Sequence, residues 1–159
     1  MSDLCSASEL RKNLNSEEKA FMAPKSIFEW DKTKYTTYVS AMDKEHEKLV
    51  AIMNRLYQEN DQGVPKAQLL KTVDELAKYT TQHFASEEAY FMKIPNYKSA
   101  DTHKRIHENL LKDFGAHVEK FKKSSENKVP NDFFMFLKVW LSAHICGIDR
   151  KYGEITKAG

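Results

Sequence analysis

Glycine and proline are both scarce in this chain, at five and four of 159 residues. So little punctuation suits long helices rather than a turn-rich fold. Cysteine is scarcer still. Cys5 and Cys146 stand near opposite ends, with no CxxC or framework spacing. That excludes a disulfide scaffold and is most simply read as reduced thiols in a cytoplasmic protein. No apolar run approaches the roughly 20 residues of a membrane span. The N-terminus carries no apolar signal core, so secretion is not expected. Charge of one sign is missing too: 25 basic against 23 acidic residues leave a net +2. That is too small to point to nucleic acid or a membrane surface as a partner. What remains is 41% apolar and 30% charged, and long enough for one domain with a sizeable core.

The most informative stretch runs from His83 to His107. It holds two pairs of metal-ligand types at i,i+4 spacing, His83 with Glu87 and His103 with His107. Residues four apart on a helix lie one above the other, so each pair can aim two donors at one point. Ile94-Pro95-Asn96 between them is a turn signal. A short connection makes the flanking helices antiparallel and folds the pairs towards each other.

Residues 1–26 read as an N-terminal extension with a short charged helical pattern from Glu9 to Met22, closed by Pro24. Residues 27–159 read as the domain. Its lead-in, 27–38, is aromatic but not periodic, and lays Phe28, Trp30 and Tyr35 across the bundle. The spacing predicts a first helix over 37–60, with Val39, Met42, His46, Leu49, Met53 and Leu56 spaced 3, 4, 3, 4, 3. A second, over 66–93, carries Leu69, Val73, Leu76, Thr80, His83, Glu87 and Tyr90 on one stripe. A third, over 100–125, aligns His103, His107, Leu110, Phe114 and Phe121. A fourth, over 132–150, buries Phe133, Leu137, Trp140, Leu141, His144, Ile145 and Ile148. His144 and Asp149 are five apart, about 140° off register in a regular helix. Both reach one site only if that turn loosens or the helix ends, which Gly147 permits.

The fold class is therefore all-α: an antiparallel up-down-up-down four-helix bundle with an N-terminal extension. In that order of helices His46, His83, Glu87, His103, His107, His144 and Asp149 fall at one level of an otherwise apolar core. Five imidazoles and two carboxylates exceed the four ligands of a tetrahedral zinc, and suit two metals bridged by the carboxylates. His117 lies about three turns away and reads as structural or exposed. Glu88 and Glu108 read as solvated, and Cys146 as a small buried residue.

The pattern resembles the hemerythrins in their bacterial form. The matching residues are His46 in MDKEHEKL, His83-Phe84-x-x-Glu87-Glu88, His103-x-x-x-His107, and His144-x-x-x-x-Asp149 before Lys151-Tyr152-Gly153. The match covers roughly 28–153. The up-down-up-down topology is the one already known for myohemerythrin. The resemblance implies a non-heme, oxo- or hydroxo-bridged pair of iron ions. His103, His107 and His144 would bind one iron, His46 and His83 the other, and Glu87 and Asp149 would bridge them. O2 would bind at the open position of the second iron, in an apolar pocket of Leu49, Phe84, Trp140, Leu141 and Ile145. One extra residue lies between Glu87 and His103, and Glu45 stands where the family usually has Gln.

The function expected is reversible O2 binding for storage, delivery or carriage, not enzymatic turnover. The alternatives are an O2- or redox-sensing module, or a di-iron enzyme acting on peroxide or nitric oxide. O2 is the expected partner, with an unidentified protein or reductant beside it. The chain is expected to be a cytoplasmic monomer.

Overall fold

The computed structural model describes residues 26–157. The extension, except for its last residue, and Cys5 therefore lie outside the described residues. The elements in order are α1 (Lys32–Tyr35), α2 (Ser40–Gln62), α3 (Lys66–Phe91), α4 (Ala100–Lys123), α5 (Asn131–His144), a π turn (Ile145–Asp149) and α6 (Arg150–Lys157). Four long helices make an antiparallel bundle: α2 packs on α3, α3 on α4, and α4 on α5. The expected architecture is present, with no strand among the described residues.

Each helix ends where the local chemistry requires. Gly63 closes α2 in the left-handed region, at φ 70°, and its N–H reaches the carbonyls of Asn60 and Glu59. Glycine takes that conformation without the Cβ penalty. Pro65 precedes α3 and Pro130 precedes α5. Each follows a bend and cannot continue an earlier helix. Lys120, Lys122 and Lys123 lie in the last turn of α4, where the helix dipole favours positive charge.

The apolar seams meet in one large core. Leu49, Met53, Leu56, Leu69, Leu76, Phe121, Phe133 and Leu137 are almost wholly excluded from solvent. His117 lies on its edge, stacked on Phe133 and Phe136.

The lead-in is held to α2 by side-chain hydrogen bonds. Asn54 Oδ1 accepts from the backbone N–H groups of Ile27 and Phe28, and Asn54 Nδ2 donates to Phe28 O. Further along, Asp43 accepts from Thr37 N, Thr37 Oγ1 and Thr36 Oγ1 at 2.7–2.8 Å. Trp30 stacks on Tyr35, which leans on Phe28.

Two differences from the expectation concern the last helix. It does not stop near residue 150. It passes through the π turn and runs on as α6 to Lys157. The continuation is held because Arg150 donates to Lys34 O and Thr36 O. Gly153 also packs directly on the Thr37 carbonyl, where a Cβ would come within 1.5 Å. Cys146 is only half-buried, because it lies at the edge of the core, with its thiol 3.6 Å from Lys34 O on the lead-in side.

Candidate metal centre

The seven donors singled out in the sequence come together at one end of the bundle. His46 comes from α2, His83 and Glu87 from α3, His103 and His107 from α4, His144 from the end of α5 and Asp149 from the end of the π turn. None is more than 5% exposed. Burying so many polar groups is costly unless they are paired or coordinated.

The π turn solves the register problem of the last pair. An i→i+5 ladder widens the turn, so residues five apart face nearly the same way. His144 Nε2 accordingly lies 3.0 Å from Asp149 Oδ1. The carboxylate reaches several rings at once: Oδ1 is 3.1 Å from His103 Nε2, and Oδ2 is 3.3 Å from His46 Nε2. Glu87 is also shared. Its Oε2 is 3.2 Å from His107 Nε2, 3.8 Å from His83 Nε2 and 3.9 Å from His103 Nε2.

Outer contacts set which ring nitrogen faces inward. His83 Nδ1–H donates to Glu45 Oε2 at 2.7 Å, and His107 Nδ1–H donates to Glu88 Oε1 at 3.0 Å. An ionised carboxylate only accepts, so the proton of each neutral ring is on Nδ1 and its Nε2 carries an inward lone pair. His103 Nδ1 lies 2.9 Å from the Tyr97 hydroxyl. The inward nitrogens then crowd. His144 Nε2 is 3.0 Å from His107 Nε2 and 3.2 Å from His103 Nε2. Convergent lone pairs beside two carboxylates repel unless a proton or a cation lies between them.

The orphaned atoms tell the same story. Among the described residues, seven buried side-chain nitrogens and oxygens lack a hydrogen-bond partner. Five of them belong to this cluster: both ring nitrogens of His46, Glu87 Oε2, and both oxygens of Asp149. Neutral imidazoles and carboxylates are the donor set of first-row transition ions. The donors form two groups whose ligand atoms lie within 4.8 Å of one another. One is Glu87, His103, His107, His144 and Asp149; the other is His46, His83 and Glu87. The residues fit a metal.

Electrostatics agree with that fit. Burial pushes the Asp149 carboxyl up, but the imidazoles of His144, His103 and His46 outweigh it and hold the group well below the ordinary carboxylate value. Glu87 is raised by burial and by Asp149, yet His107, His83 and His46 bring it below its usual value. Burial lowers His144, and the neighbouring Asp149 more than restores it, so the ring is raised overall. Burial dominates at His103 and lowers it. Burial also raises the Tyr97 phenol, to about 12, with Asp149 and Glu87 adding to the shift.

Some contributors were not legible in the sequence. Glu88 is a correction: it is not a solvated glutamate but holds His107, because it follows Glu87 around the helix onto the edge facing α4. Tyr152 is fully buried and donates its hydroxyl to Glu87 Oε1. It stands in the Lys151-Tyr152-Gly153 segment, about one turn beyond Asp149, and the continuation of the helix as α6 brings it to the level of Glu87. Phe91, one turn beyond Glu87, stacks on His103 at 4.5 Å. The five apolar residues assigned to a ligand pocket are all buried. Phe84 lies flat on His107 at 3.8 Å between ring centroids and edge-on to Trp140 at 5.9 Å.

Comparison with known proteins agrees with the geometry. Residues 37–155 match the profile of the hemerythrin HHE cation binding domain. The chain is 30% identical over 129 residues to a bacteriohemerythrin of Clostridium acetobutylicum, covering 79% of this chain and 98% of that one. It is 28% identical over 133 residues to a bacteriohemerythrin of Methylococcus capsulatus, covering 84% and 99%. A crystal structure of wild-type hemerythrin superposes with a TM-score of 0.71 at 28% identity, covering 80% of this chain and 95% of that chain.

Proposed function

The chain belongs to the hemerythrin family, and from that premise we propose that it holds two non-heme iron ions and binds O2 reversibly, as a carrier, store or delivery protein rather than an enzyme. The observation that carries this reading is the composition and division of the donor set. Five imidazoles and two carboxylates fall into a larger and a smaller group that share Glu87. Asp149 turns one oxygen to each side.

His103, His107 and His144 would hold one ion, and His46 and His83 the other, with Glu87 and Asp149 common to both. A bound pair of irons would supply the reversible redox chemistry that O2 binding needs. The protein's part is to hold, orient and exclude. Tyr152 fixes Glu87 through Oε1 and leaves Oε2 to face the rings. Glu45 and Glu88 fix the tautomers of His83 and His107.

Leu49, Phe84, Trp140, Leu141 and Ile145 would form the apolar wall of the O2 pocket. None of the five is an acid or base that could pass a proton to bound O2. The wall thus works against loss of the ligand as peroxide. Two carboxylates also make a less anionic shell than the four-Glu, two-His sites of ferritin-like di-iron proteins. Anionic donors stabilise the high oxidation states that oxidise substrates, so fewer of them favour release of O2 over turnover.

The test is one cycle of reduction without air, addition of O2 and its removal, followed by metal analysis and the visible spectrum. Two irons per chain, with a colour that develops and fades reversibly, is the expected result. Immediate oxidation with no lasting adduct would overturn the carrier reading. One ion or none would overturn the two-iron reading.

A further inference from the structure

We propose that Glu45 is a positioning residue that governs how firmly the smaller side of the centre, His46 with His83, keeps its metal ion. The inference rests on the two-ion reading above.

Glu45 is next to His46 in the chain, yet its side chain crosses from α2 to α3. Both carboxylate oxygens are engaged there. Oε2 accepts from His83 Nδ1–H at 2.7 Å, and Oε1 accepts from Ser86 Oγ at 2.9 Å. His83 and Ser86 are about one helical turn apart, so the carboxylate is held at two points and cannot swing away from the ring. Its side chain is 28% exposed, partly withdrawn from water. The hydrogen bond is charge-assisted, which makes it short and directional. It points the Nε2 lone pair inward and adds electron density to the ring, making His83 a stronger donor.

The two sides of the centre depend on such support unequally. The larger side has five donors, with His107 held by Glu88 and His103 next to Tyr97. The smaller side has only His46 and His83 of its own, since both its carboxylates, Glu87 and Asp149, are shared with the larger side. Its other ring, His46, has no hydrogen bond on either nitrogen. Among the described residues, Glu45 thus gives the one outer hydrogen bond seen on an imidazole of the smaller side. Its loss should be felt there, while the larger side keeps its own supports.

The experiment is an anaerobic titration with ferrous iron against a competing chelator, on the full chain and on Glu45→Gln and Glu88→Gln. The glutamine amide can still accept from Nδ1–H, so the variant tests charge and donor strength more than shape. The full chain should fill in two steps, the five-donor side first. Glu45→Gln should weaken the second step by about 10–100-fold, the usual cost of losing an outer-shell partner of a ligating histidine. It should leave the first step and the melting temperature of the metal-free chain unchanged. Glu88→Gln should act on the first step instead. Two full steps in Glu45→Gln, indistinguishable from the unmodified chain, would overturn the proposal. So would equal weakening of both steps with a lowered metal-free melting temperature, the mark of a merely structural role. An unmodified chain that takes up one ion or none would remove the two-ion reading, and this proposal with it.

Discussion

The two ends of the bundle are built from the same four helices and opposite chemistry. At one end the seams carry Leu56, Leu69, Val73, Phe121, Phe133 and Leu137, all buried and needing nothing but one another. At the other end the same stripes carry five histidines and two carboxylates, equally buried, with orphaned lone pairs. The apolar end gains free energy from leaving water, whereas the polar end loses solvation that only protons or a cation can restore. Stability and function are therefore separated along the helix axis. The same separation explains why the polar end is fastened from outside. Arg150, Gly153, Asp43 and Asn54 hold the lead-in across the bundle, and Trp30 of that segment faces His46 at 6.2 Å.

The largest effect expected from this division lies at the apolar end. Phe121→Ala should cost about 3–5 kcal/mol, by lost burial and a residual cavity. Denaturant unfolding of the metal-free chain measures the loss. Metal stoichiometry of the protein that remains folded should not change. A parallel fall in metal content would show that the two ends are not separable.

A smaller effect is expected where the polar end is fastened. Gly153→Ala places a Cβ 1.5 Å from the Thr37 carbonyl, so either the lead-in or α6 must move. Overpacking of this kind costs about 1–3 kcal/mol. Limited proteolysis should then cut within residues 27–38 faster than in the unmodified chain. Unchanged cleavage would mean that the lead-in is held by its other contacts alone.

The smallest effect concerns pH and the metal-free chain. Asp149 has a folded value well below its ordinary 3.8. A depressed carboxylate contributes stability above its unfolded value, and that contribution is lost as pH falls towards and below 3.8. The melting temperature should therefore fall on acidification through this range. Asp149→Asn should flatten the fall. An equally steep acid limb in the variant would assign the dependence to other carboxylates.

How much of this could be read from the chain differs residue by residue. The four stripes were legible because helical periodicity is a local property. So was the common level of the seven donors, because short connections fix which helix ends meet. Spacing also showed that His144 and Asp149 need either a loosened turn or a helix end to share a site, and the structure has the loosened turn. The run of α6 to Lys157 was not legible. Gly147 and Gly153 look like terminators, and only packing against the Thr37 carbonyl and the lead-in shows that the second glycine marks a close approach. Glu88 was misread for a related reason: one helix cannot show that an exposed-looking position faces a neighbour's imidazole.

The sequence by itself determined the helices, their order and the donor inventory, because periodicity, turn residues and ligand spacing all act over a few residues. Only the tertiary structure decided which oxygen of Asp149 meets which ring, that Tyr152 and Glu88 complete the surroundings, and that the His46 side stands with less support than the other. Those are contacts between helices far apart in the chain, and their ångström-scale distances depend on how all four pack at once.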